Sequence, residues 1–208
     1  MENAAPTAPA SLRPGPTAAA LGLLVLSFVV FHLFGRYHAT LPLHSGIDPV
    51  LAFLPRADVT PLLTYVWLLL HVFAFSYWIK FERARLPYLL ASVALFMAVR
   101  NVFIVLTPVA PPEGMIPLYT EAWFAPLRGT IFFDNELFFS GHTGVPFLYF
   151  LLSRGESRVR WAFLAFSFLM GAGVLLTRNH YAMDVLGAYF MTYSIHRLGL
   201  FCFGGLDR

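Results

Sequence analysis

The sequence predicts an all-α integral membrane protein, a bundle of six transmembrane helices with both termini cytoplasmic. Three observations predict it. Of 208 residues, 58% are apolar and 12% charged, whereas a soluble domain carries roughly 25% charged residues. The apolar residues, about 120 in all, suffice for six spans of ~20 residues, and they fall in six runs. The basic residues crowd into alternate loops. This composition excludes a soluble globular enzyme, a nucleic-acid-binding domain and a disordered chain. The net charge of +3 therefore reads as loops held in the cytoplasm, not as affinity for nucleic acid. Cys202 is the only cysteine, so no intrachain disulfide forms.

Residues 1–17 are Ala/Pro-rich and cannot bury enough surface to order themselves, which predicts a disordered tail ahead of one catalytic domain over 18–208. The run 18–34 is long, rich in Phe and lacks a small-x-small site after it, so it reads as a retained span rather than a cleaved leader. A loop with Pro42, Pro49 and Pro55 leads to the second span, 61–79. A basic turn, KFERAR, precedes the third span, 88–108. The long loop 109–136 follows, then a short fourth span at 137–152. A second basic turn, SRGESRVR, leads to the fifth span, 161–177, and the sixth covers 180–203.

Charge sets the orientation. With the N-terminus inside, the inner segments hold eight bases: Arg13, Lys80, Arg83, Arg85, Arg154, Arg158, Arg160 and Arg208. The outer loops hold four: Arg36, Arg56, Arg128 and Arg178. That asymmetry predicts both termini inside.

Three charges fall within spans. Arg197 is near an inner end and snorkels to the headgroups. Arg100 lies about 12 Å below the outer end of its span at ~1.5 Å per residue. A charge so placed costs roughly 2.5–3.5 kcal/mol and calls for a partner or a wet cavity. Asp184 follows His180 at i+4, so the two share a helix face. His142 precedes His180 by one span down and one span up. Both histidines and Asp184 therefore lie near the outer face.

His142 sits in Ser140-Gly141-His142-Thr143-Gly144 at a helix start. A hydroxyl there caps the helix, and its free amides suit an anion. A carboxylate that holds His180 in one tautomer makes its other nitrogen a better nucleophile or base. A second histidine can shuttle the proton, and Arg100 or Arg178 can hold phosphoryl oxygens. The set suits phosphoryl transfer without a metal or other cofactor, although two His and nearby carboxylates could also ligate Zn²⁺. Elsewhere, the large apolar residues Trp123, Phe124, Leu127, Phe132 and Phe133 predict an interfacial segment lining a lipid path. Glu136 either steers a cationic headgroup or marks the membrane boundary. His71 reads as a core histidine bonded to a neighbour.

LFFSGHTG (137–144) and RNHYAMDVLGAYF (178–190) resemble the two signature motifs of the sphingomyelin synthases, a branch of the type 2 phosphatidic acid phosphatase superfamily. The matching residues are Ser140, Gly141, His142, Thr143, His180, Tyr181, Asp184 and Val185. Arg100 followed by Leu106-Thr107-Pro108 resembles the family's third-span motif. Asp134-Asn135-Glu136 stands where the synthases carry Cys-Gly-Asp, and of their first-loop motif only Pro42 and Asp48 remain. The phosphatases' Lys–Arg-Pro motif is absent, and Val174 stands at their second arginine.

The resemblance implies double displacement. His180, oriented by Asp184, attacks phosphorus and forms a phosphohistidine. His142 protonates the departing diacylglycerol oxygen and then deprotonates the acceptor. Arg100, Ser140, Gly141, Thr143, Glu136, Arg178 and Tyr181 are the expected substrate-binding residues. The partners are a phospholipid donor and either a lipid hydroxyl acceptor (ceramide or diacylglycerol) or water. Transfer to a lipid makes the chain a headgroup phosphotransferase of sphingolipid or phospholipid metabolism; transfer to water makes it a lipid phosphatase or phospholipase C. A small-molecule or proton transporter is a lower alternative, disfavoured because the polar groups gather at one face. A non-catalytic scaffold is disfavoured by the intact His/His/Asp set. The expected location is a bacterial inner membrane with the site facing the periplasm. The sequence sets neither the headgroup nor an oligomeric state.

Overall fold

The computed structural model describes residues 12–127, 133, 136–154 and 158–207. Among these the chain is helical and contains no strand; its one β-bridge joins His44 to Val109. Seven α-helices occur in order: α1 (Pro14–His38), α2 (Pro49–Phe53), α3 (Trp67–Phe81, preceded by a π-turn at Leu62–Val66), α4 (Leu86–Leu106), α5 (Gly141–Leu152), α6 (Arg158–Leu176) and α7 (Ala182–Phe203). Pro14 opens α1, since a proline at the first turn loses no hydrogen bond. The helix thus starts four residues before the apolar run. Residues 1–11 of the expected tail, and Arg128, Phe132, Asp134 and Asn135 of the outer loop, lie outside the described residues.

Among the described residues, four helical stretches are long and apolar enough to cross a membrane: Pro14–His38, Leu62–Phe81, Arg83–Leu106 and Arg158–Leu176. The six-span expectation differs at two helices. α5 has 12 residues, about 18 Å at ~1.5 Å per residue, because Ser140 caps it three residues into the apolar run. α7 has 22 residues, but Asp184, His196 and Arg197 dilute its apolar character.

α4 is the central helix. It packs on α1 along one side and on α7 along another, while α5 packs against both α6 and α7. Trp78, Phe96, Phe139, Leu148, Tyr149 and Phe163 fill the core between α3, α4, α5 and α6. At Gly144 the helices come too close for a side chain: an added Cβ would lie 2.8 Å from Thr192 Oγ1 and 2.9 Å from the Phe96 ring. The described residues of the basic turns are tied to neighbouring helices. Arg85 is buried, pairs with Glu82, and donates to Asp207 at 2.6 Å and to the Leu152 carbonyl at 3.0 Å. Arg154 reaches the other Asp207 oxygen at 2.9 Å. Arg197 is exposed.

Candidate active site

α5 begins where a hydroxyl replaces the missing backbone acceptors. Ser140 Oγ accepts from the Thr143 amide at 3.4 Å and from the Thr143 hydroxyl at 3.2 Å. Both residues are fully buried. The Thr143 carbonyl accepts from Ser167 Oγ at 2.8 Å, which ties α5 to α6. Ser140 and Thr143 therefore shape the start of the helix and do not line the cavity beside it. By helix geometry the first-turn amides of Gly141 and His142 have no intrahelical acceptor.

α7 begins in a similar way. The Asp184 carboxylate reaches back one turn, and its Oδ2 accepts from the Tyr181 amide at 2.9 Å. The same oxygen accepts from His180 Nδ1–H at 3.3 Å. Asp184 is 2% exposed and His180 5%, so this pair is screened from bulk water. With Nδ1 bound to the carboxylate, Nε2 carries the lone pair. The two helix starts are joined directly, because the Ser140 amide donates to the Asp184 carbonyl at 3.1 Å. That bond sets the two histidine-bearing motifs side by side.

His142 and His180 both line a cavity of about 370 Å³ between α1, α3, α4 and α5. Its polar wall also includes Arg100, Glu136, Gly141, Tyr119 and Asn179; its apolar wall includes Leu24, Phe28, Phe75, Val93 and Phe96. Arg100 is 7% exposed. It donates to the Phe139 carbonyl at 2.9 Å, the Glu136 carbonyl at 2.9 Å and the Glu136 carboxylate at 3.2 Å. Its buried charge is thus paired, as its depth in the span requires, and it fastens the segment leading into α5. Gly141 lies against the Arg100 guanidinium, where a Cβ would make ordinary contact at 3.4 Å from Nε.

Of the expected substrate-binding residues, Arg100, Glu136 and Gly141 line the cavity and Ser140 and Thr143 stand behind it. Tyr181 and Arg178 are placed elsewhere. The Tyr181 hydroxyl donates to the Ala110 carbonyl at 2.9 Å and accepts from the Gly46 amide at 3.2 Å. Arg178 donates to the Leu51 and Leu54 carbonyls at the end of α2. Both side chains brace the segments at 46–54 and 110 rather than face the cavity. Of the outer-loop aromatics, Phe133 lines the cavity and packs edge-on against Phe31. Phe124 is buried against Tyr119 and Trp123 is exposed.

Four residues gain roles that sequence patterns do not show. The Tyr119 hydroxyl lies 3.1 Å from His142 Nε2. Tyr119 holds φ at +55°, a left-handed conformation that costs a non-glycine residue energy and is kept only where the surroundings impose it. Burial, and then the Glu136 charge, push its phenol above the ordinary tyrosine range. Asp48 caps two helices: Oδ1 accepts from Val50 at 2.8 Å and Oδ2 from Ala182 at 2.5 Å. Asn179 Nδ2 donates to the Ile116 carbonyl at 2.8 Å. His71 is bonded to its own helix, as expected, but it also lines the cavity. No three His, Cys, Asp or Glu side chains gather at metal-ligand range among the described residues.

The arrangement offers a carboxylate-held imidazole, a second imidazole, a buried guanidinium and free helix-start amides around one cavity. No curated protein and no solved structure matches the chain. Residues 135–199 match the family model described as PAP2 superfamily C-terminal. That stretch holds both histidines and Asp184, so the part of the chain that carries the histidine-bearing wall of the cavity is similar to the PAP2 superfamily.

Proposed function

We propose that the protein is a membrane phosphotransferase that moves a phospho-headgroup between lipids through a phosphohistidine on His180. One observation carries this reading. His142 and the Asp184-held His180 line a cavity whose only buried cation is Arg100 among the described residues and whose wall is otherwise mostly apolar. Such a cavity suits a ligand that is anionic at one end and hydrocarbon at the other. The similarity to the PAP2 superfamily supports activity of the lipid phosphatase or phosphotransferase type.

In the first step His180 Nε2 attacks phosphorus. The N–P bond forms as the P–O bond to diacylglycerol breaks, and His142 gives that oxygen a proton. In the second step an acceptor hydroxyl attacks phosphorus and passes its proton to His142. The N–P bond then breaks and its electrons return to His180. Arg100 and the amides of Gly141 and His142 stabilise the charge on the phosphoryl oxygens. Glu136 balances Arg100 at the cavity mouth.

The proposed topology has six crossings, with α5 and α7 as the short and the polar members and both termini cytoplasmic. The basic turns support it. The site then opens on the periplasmic side of a bacterial inner membrane.

Lipid analysis of cells expressing the wild type or His180→Ala tests the proposal. The expected result is a headgroup-bearing lipid that disappears in the variant. Diacylglycerol accumulating with no such lipid would replace transfer by hydrolysis at the same site. Turnover should survive EDTA; its loss, with recovery on adding Zn²⁺, would replace the phosphohistidine route by metal catalysis.

A further inference from the structure

His71 has one nitrogen satisfied and one left over. Its Nδ1 lies 2.8 Å from the Trp67 carbonyl. A carbonyl only accepts, so the proton is on Nδ1 and the lone pair of the neutral ring is on Nε2. Nε2 has no hydrogen-bond partner among the described residues, and the ring lines the reaction cavity. Its neighbours are aromatic: Trp67 at 4.4 Å and Tyr149 at 5.8 Å, both edge-on. His71 forms no ion pair among the described residues, so nothing favours a charged ring there.

Position gives this acceptor a meaning. The Trp67 ring also packs 4.6 Å from the His142 ring. Trp67 is therefore level with the reacting groups, and His71 follows it by one helical turn, ~5.4 Å deeper. An acceptor lipid whose hydroxyl reaches phosphorus at His180 places its linkage region near that depth. Leu24, Phe75, Val93 and Phe96 of the cavity wall offer the lipid no polar partner, and Tyr149 lines the wall beside His71. Ester carbonyls and ether oxygens are acceptors only and cannot pair with Nε2. An amide N–H or a hydroxyl can.

We propose that His71 is a specificity-determining residue that accepts a hydrogen bond from an amide N–H or hydroxyl in the linkage region of the bound lipid. This deepens the lipid-transfer reading and rests on it.

The test is equilibrium binding, which needs no turnover. Purified full-length protein in detergent is titrated with a radiolabelled short-chain N-acyl amino-alcohol lipid. Two analogues are compared, one methylated at the amide nitrogen and one lacking the secondary hydroxyl. The wild type is expected to bind one analogue about tenfold more weakly, equivalent to ~1.4 kcal/mol. The analogue that loses affinity identifies the donor. His71→Leu should bind all three lipids alike, and His71→Gln, which keeps an acceptor, should restore the preference. Equal binding of all three by the wild type would overturn the proposal even if no variant folded. So would a preference that persists in His71→Leu. Failure of the transfer reading is seen separately, as a phosphoenzyme that still forms in His180→Ala, a variant expected to keep the binding preference.

Discussion

Asp184→Asn separates charge from geometry at the site. Both hydrogen bonds to the Asp184 carboxylate among the described residues fall on one oxygen: Tyr181 N–H at 2.9 Å and His180 Nδ1–H at 3.3 Å. An asparagine with its carbonyl oxygen in that place keeps both bonds. What it loses is the negative charge facing the imidazole as that ring becomes cationic. At 3.3 Å with an effective dielectric of ~20, the Coulomb term is about 5 kcal/mol. Taken as a ceiling, it corresponds to a rate loss of at most about 5,000-fold. The helix start stays tied, so Tm should move by no more than ~4 °C, the equivalent of about 1 kcal/mol at this size. Single-turnover transfer of a radiolabelled headgroup in vesicles reads the rate, and a thermal melt reads the fold. A variant that transfers within about tenfold of wild type would refute the role given to the carboxylate. A variant that has lost both rate and fold would show that the charge holds the helix rather than the histidine.

Gly144→Ala should overpack the α4–α5–α7 contact, where the new methyl meets Thr192 and Phe96; a loss of about 1–3 kcal/mol in denaturant melts is expected. Arg178→Ala frees the Leu51 and Leu54 carbonyls and should lower thermal stability while leaving KM for lipid within about twofold; a large KM effect would return Arg178 to the substrate. Tyr119→Phe removes the hydroxyl 3.1 Å from His142 and should slow transfer about fivefold, the equivalent of ~1 kcal/mol. Because the Tyr119 phenol is held above its ordinary range, it keeps its proton longer in the fold than in the unfolded chain. Stability therefore falls as pH rises past ~10, and Tyr119→Phe should flatten that limb of a Tm-against-pH curve.

The reactive wall is largely legible in the sequence because its signals are local. His180 and Asp184 are four apart on one helix, and Ser140 caps the helix that carries His142. One span down and one up returns the chain to its starting level, which is where the Ser140–Asp184 backbone bond joins the two motifs. Arg100 is legible from the cost of burying it. The supports are not legible, because they act over long separations. Asp48 reaches Ala182 across 134 residues, and Tyr119 meets His142 from an irregular loop. Arg178 and Tyr181 flank His180 in the chain, and that nearness suggests substrate contact. Their side chains instead turn to carbonyls of the outer loops, including those at the end of α2, a five-residue helix too short to leave a periodic pattern. His71 misleads for the opposite reason: an isolated polar residue among apolar ones looks the same whether it faces a core or a cavity.

The helices divide the labour. The histidines and Asp184 stand at the starts of α5 and α7, joined by one backbone bond, so displacing either histidine disturbs the other. α1 supplies only a hydrocarbon wall, through Leu24, Phe28 and Phe31, and it packs mainly on α4. The stretch similar to the PAP2 superfamily starts at residue 135, past α1, α3 and α4. If the proposed function holds, mutations along α1 would widen, narrow or deepen the space for a lipid tail while the two histidines keep their places. New substrate preferences can therefore arise on one side of the cavity at little cost to the chemistry on the other.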